Sequence, residues 1–192
     1  MSYIVNHIHA KLYYYLQYLT IGECVSCFII VLFALVVFYL VRHQTATKRA
    51  VISILLKTIY LTLLFAITIL GRRQFQASFP NQFFASFDVL LSGNGDIVFD
   101  ILFNIVLFVP AGILFAIDNS FKKTNLIIFL LTLFIETVQA VTRRGLFELS
   151  DILANYIGGM CGYILYSFMR HCIRRGRKHN TQYIERVERT KQ

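Results

Sequence analysis

The chain has no tryptophan, only two prolines, and no histidine between residues 44 and 170. Without tryptophan, an aromatic belt at a membrane surface has to come from tyrosines such as Tyr13, Tyr14, Tyr15, Tyr163 and Tyr166. The missing histidines exclude an HExxH zinc helix from the apolar middle of the chain, and there is neither a P-loop lysine motif nor a serine beside an obvious base. Of the four cysteines, Cys24 and Cys27 form a C-x-x-C at the start of an apolar stretch. It has no second ligand pair, so free thiols are expected there rather than zinc or a redox couple. No loop is long enough to bury a core, which excludes a separate water-soluble domain. Residues 1–20 have no basic leader and no small-residue cleavage site, so no removable signal peptide is expected. No metal and no cofactor are expected.

What is present is apolar. Hydrophobic residues make up 57% of the 192 and the mean hydropathy is +0.61, beyond a typical soluble domain. A membrane-crossing helix needs about 20 mostly apolar residues. Five stretches meet that length, at about 21–41, 51–70, 97–117, 124–142 and 149–169. The expected fold is all-α, a polytopic integral membrane protein with about five transmembrane helices and no internal repeat. Three parts follow: an N-terminal segment 1–20, whose LYYYLQYL could lie as an interfacial helix, a helical domain 21–169, and a basic tail 170–192.

Lysine and arginine placement predicts the orientation. With five spans, thirteen basic residues fall on one side: Arg42, Lys48, Arg49, Lys122, Lys123 and eight in the tail. Five fall on the other: Lys11, Arg72, Arg73, Arg143 and Arg144. The positive-inside rule then puts the N-terminus outside and the C-terminus inside. The tail's charge is explained by that topology alone. Its attraction to anionic lipid is secondary, and nucleic-acid binding is not expected, because the tail is membrane-tethered and has only Tyr183 to stack on bases.

Against this background the polar residues within spans stand out. Asp100 and Asn104 are spaced i, i+4 in the third span, Glu136 and Gln139 i, i+3 in the fourth, and Asp151 and Asn155 i, i+4 in the fifth. Each pair therefore shares a helical face. At 1.5 Å rise per residue, Asn104, Glu136 and Asn155 lie roughly 9–10 Å below the outer boundary, with Asp100, Gln139 and Asp151 nearer the surface at roughly 3–5 Å. Arg143 continues the Glu136 face, Arg144 is its neighbour, and either is the expected counter-charge for Glu136. Ionisable residues inside spans are costly and usually face a bundle interior, which makes these eight candidates for one outward-opening site. The plainer reading treats the amides as hydrogen-bonding glue between helices and the two aspartates as hydrated helix ends.

Three residues shape the frame. Pro110 removes a backbone donor and frees the carbonyl of Val106, so a kink is expected below Asn104. Gly158 and Gly162 form a GxxxG, read as close packing inside the bundle rather than a dimer contact. Lys57 lies within the second span, where snorkelling to the inner surface accounts for it without a functional role. Glu23 opens the first span, as a hydrated helix end or as a member of the outer group.

Residues 100–163 resemble the core of the VanZ-like family of bacterial membrane proteins. The likeness rests on NIVLFVPAG at 104–112, ETVQ at 136–139, RGLF at 144–147 and DILANYIGGMCGY at 151–163, in the family's order. YLTLLFAITILGRR at 60–73 resembles its second-span end. Where an acid-rich F-D-x-D-D is common, this chain reads Phe147, Glu148, Leu149, Ser150, Asp151, which argues against a metal site there. The N-terminal third and the basic tail fall outside the likeness. The resemblance implies a multi-pass protein of the bacterial plasma membrane that lowers susceptibility to the glycopeptide antibiotic teicoplanin. Three mechanisms remain open: binding or remodelling a lipid-linked cell-wall precursor or phospholipid headgroup at the outer face, enzymatic modification of such a headgroup, or scaffolding of cell-envelope enzymes. The lack of a recognised catalytic pattern weighs against the enzyme.

Overall fold

Five helices account for the computed structural model, which describes residues 13, 19–42, 47–72, 95–145 and 147–190, apart from the side chains of residues 42, 95–97 and 178–190. They are α1 (Ile21–Arg42), α2 (Lys48–Phe65, continued by a π-helical turn over Ala66–Leu70), α3 (Gly95–Ala116), α4 (Phe121–Val141) and α5 (Leu149–Thr190). All five are long and apolar enough to cross a membrane. The interfacial reading of residues 1–20 lies almost wholly outside the described residues.

The helix starts follow from local capping. Thr20 and Glu23 form a reciprocal capping box: the Glu23 amide donates to the Thr20 hydroxyl at 3.2 Å, and the Thr20 amide donates back to the Glu23 carboxylate at 3.4 Å. The Thr47 hydroxyl accepts from the Ala50 amide at the start of α2. α3 runs through Pro110 as one helix, and the Tyr60 hydroxyl donates to the Leu107 carbonyl in the turn that the proline disturbs. α5 continues well past residue 169. Its 42 residues make a rod of roughly 60 Å, about twice the hydrocarbon thickness, so helix and basic tail are one element.

Burial is arranged as lipid solvation requires. Apolar side chains such as Phe33, Val106 and Ile164 cover the outer surface, whereas Asn104, Thr132, Glu136, Gln139 and Asn155 are buried between helices. Phe108, Leu64, Ile128 and Ile135 fill the centre. α3 and α5 touch backbone to backbone. A Cβ on Gly158 would sit 2.1 Å from the Ile105 carbonyl oxygen, and one on Gly162 would sit 2.0 Å from that of Val109. These pairs advance together along both helices, so α3 and α5 run parallel in direct contact, and α4, which links them in sequence, runs back against the pair. In this structure the GxxxG lies against α3 inside the bundle.

Lys57 corrects one expectation. It does not snorkel to the interface: its ammonium is buried and paired with the Asp118 carboxylate in the α3–α4 turn, where the Ser53 hydroxyl also donates, and it lies 5.6 Å from the centre of the Phe115 ring. An ion pair closes this end of the bundle, and buried Glu136 and Gln139 lie toward the other.

Candidate polar site

The site starts from a local irregularity in α2. Over Ala66–Leu70 the helix widens to π geometry, with the Gly71 amide donating to the Ala66 carbonyl at 2.7 Å. π turns recur at functional positions, and the last carbonyls of a helix lack intrahelical donors. Here those carbonyls are used. The Gln139 side-chain amide donates to Thr68 O at 2.9 Å, and the Arg144 guanidinium donates to Leu70 O at 2.8 Å and Ile69 O at 3.2 Å.

Arg144 reaches α2 because of how α4 stops. The Arg144 amide donates to Gln139 O and the Arg143 amide to Ala140 O, a Schellman ending that reverses the chain. The C′ position of that motif calls for a positive φ and usually holds glycine. In this protein it is Arg143, at φ 57°. The reversal turns Arg144 inward, where it also pairs with Glu23 at 3.7 Å, and leaves Arg143 exposed. Arg143→Gly should therefore raise stability by about 1 kcal/mol, by relieving the left-handed backbone, without loss of activity. A thermal-melt series in detergent, with susceptibility assayed at matched abundance, checks this.

Glu136 is 1% exposed, and one of its carboxylate oxygens accepts from the Glu148 amide at 3.4 Å. The charges in its field are those of Asp151, Arg72 and Glu148. The expected partnership with Arg143 or Arg144 is thus replaced: Arg143 faces out, Arg144 serves Glu23 and the π turn, and the nearby cation is Arg72. By sequence Arg72 counts among the outer loop charges and falls in the GRR that resembles the family's second-span end, without a place in the site. The signal was present in the GRR that follows α2, but only the register of α2 against α4 turns it into a site residue. Glu23 does join the group, through its pair with Arg144.

Two amides complete the group. Gln139 is 1% exposed, and its Oε1 is buried without a hydrogen-bond partner. Asn155 is 3% exposed; its amide donates to the Thr132 hydroxyl at 3.2 Å, while its Oδ1 is likewise buried and unpartnered. Arg72 Nε is in the same condition. A Cβ on Gly145 would meet Gln139 Oε1 at 3.1 Å and an Arg72 guanidinium nitrogen at 3.2 Å, so both groups converge on that glycine. Asn104 is buried, and the contact of Gly158 with Ile105 sets it close in height to Asn155. Asp151 is half-buried. Asp100 is exposed. Among the described residues, no three His, Cys, Asp or Glu side chains converge in a way that could hold a metal ion.

Beside this group lies a groove of about 500 Å³ between α1, the π turn and α4, walled by Ile30, Val31, Phe65, Ile69 and Phe134. Glu23, the partner of Arg144, lies in its wall, so a polar end and an apolar channel adjoin.

These observations define a class: a polytopic helical membrane protein with a group of buried polar residues at one end of the bundle and a buried ion pair at the other. The VanZ/LLP1 family model matches residues 27–170, and the chain belongs to that family. The match takes in α1 and α2, so the likeness extends further toward the N-terminus than the motifs at 100–163 imply; the basic tail stays outside it. No curated protein matches the chain, and neither does any solved structure.

Proposed function

We propose that this protein holds the polar head of a lipid-linked cell-envelope component at the outer face of the bacterial plasma membrane, and thereby lowers susceptibility to teicoplanin. The observation that carries this reading is the set of buried, unpartnered polar atoms, Gln139 Oε1 and Arg72 Nε, at the end of the bundle where Glu23, the partner of Arg144, borders an apolar groove. Leaving a buried polar atom unpaired costs about 1–3 kcal/mol, a cost that packing glue would have avoided and that a ligand's polar groups would offset. Arg72 supplies a planar fork suited to a phosphate or carboxylate, and Gln139 Oε1 accepts from a hydroxyl or amide. An acyl or prenyl chain then lies along Ile30, Phe65 and Phe134. The combination suits an anionic amphiphile better than it suits a scaffold, which would use outer helix surfaces alone.

Orientation is the part of this reading most open to direct test. In a background lacking the native cysteines, Arg143→Cys should react with a membrane-impermeant maleimide in intact cells. Arg175→Cys, on α5 beyond its apolar part, should react only after permeabilisation. The reverse pattern would put the polar group at the inner face and remove its access to an extracellular antibiotic.

A further inference from the structure

A second site lies at the opposite end of the bundle. On α5, Tyr163, Ser167, Arg170 and Arg174 recur at helical spacing along one stripe, with Tyr166 and His171 flanking it. The stripe faces the end of α3 and encloses a cavity of about 210 Å³ together with Ala116 and Asn119. None of the eight lining residues is acidic. The nearest carboxylate in the adjoining turn, Asp118, is engaged by Lys57 and Ser53. Tyr163 is fixed edge-on against Phe121, with ring centroids 5.2 Å apart. The Asn119 side chain donates to the Phe115 carbonyl at 2.9 Å, so one acceptor at the α3 terminus is already occupied.

We infer that this cavity binds a phosphate group, that of an anionic phospholipid headgroup, at the leaflet where α5 leaves the membrane. Charge and donor type agree. Two guanidiniums one turn apart can take a phosphate from one side, and hydroxyl and imidazole donors complete the shell. Size agrees as well, since the cavity is smaller than the ~300–1,000 Å³ of sites that enclose a whole small molecule, and fits a headgroup whose chains remain in the bilayer. Position agrees too: Arg170 is the first charge after the apolar part of α5, and tyrosines sit at headgroup level. A topology signal requires positive charge at this end of α5 but no cavity built around it.

Native mass spectrometry of the full chain in detergent, titrated with phosphatidylglycerol or phosphatidylcholine of identical chains, tests the inference. Phosphatidylglycerol should bind in preference, and Arg170→Gln with Arg174→Gln should weaken it about tenfold. Arg175→Gln with Lys123→Gln removes the same charge from the same end but outside the cavity, and should change affinity less than about twofold. All four side chains are exposed, so neither double variant puts folding at risk. Equal weakening in both variants, or no preference between the lipids, would overturn a built site in favour of diffuse charge. Millimolar inorganic phosphate should displace the lipid poorly; complete displacement would overturn the lipid assignment and give the site to soluble phosphoesters.

Discussion

Gly162→Ala and Gly158→Ala should each destabilise the bundle by about 3 kcal/mol or more, an effect large enough to lower its accumulation in the membrane. The reason is geometric. A methyl group at either position would meet a backbone carbonyl oxygen of α3 at about 2 Å, and backbone, unlike the end of a flexible side chain, has nowhere to go. Gly112 is equally committed, since its Cβ would lie 1.8 Å from the Gly159 carbonyl oxygen. Gly22 supplies the control. Nothing lies within 4 Å of its Cβ position, so Gly22→Ala in α1 should be neutral or stabilise by about 0.5–1 kcal/mol. Thermal midpoints in one detergent, with oligomeric state followed in parallel, separate the two readings of the GxxxG. Were it a dimer contact, Gly158→Ala would leave a stable monomer, and the bundle account of α3 and α5 would fail.

The second large effect is expected at Arg72 and Glu136. Arg72 is the cation whose charge acts on the buried Glu136, so Arg72→Ala leaves that group uncompensated and should destabilise by about 1–3 kcal/mol. Glu136→Gln keeps the shape and the acceptor oxygen without a titratable group, so it should fold at near-normal abundance and yet lose function. A double-mutant cycle between positions 72 and 136 should give a coupling of about 1–2 kcal/mol, against almost none between 144 and 136. Arg144 should couple with Glu23 instead, and weakly, because the pair is partly exposed at 3.7 Å. Strong coupling of 144 with 136 would restore the assignment that the order of residues along α4 suggests and would discard the one the structure favours.

Those two residues also show where sequence reading ends. The five spans were legible because hydropathy and length are local properties, and burial of Asn104, Glu136, Gln139 and Asn155 followed from the cost of polar groups facing lipid. The choice of Glu136's cation was not local. It depends on the π turn at 66–70, which no spacing rule announces, and on a Schellman reversal in which Arg143 occupies a position usually left to glycine. Continuing the helix in imagination past Val141 keeps Arg143 on the Glu136 face; the actual chain turns there and sends Arg144 to α2. Lys57 was misplaced for a related reason. Snorkelling is the default for a lysine near a helix end, and only the fold of the α3–α4 turn brings Asp118 within its reach.

The central claim is that the Arg72 end of the bundle binds a lipid-linked envelope component, and binding is the measurement that meets it most directly. Purified protein should be incubated with an undecaprenyl-linked cell-wall precursor and examined by native mass spectrometry, with Gln139→Leu and Arg72→Met alongside. The account predicts a one-to-one complex of unchanged ligand mass with the parent protein, weakened at least about tenfold in either variant, because each removes a polar atom that the ligand would satisfy. Undiminished binding by both variants, or none by the parent protein, would contradict it.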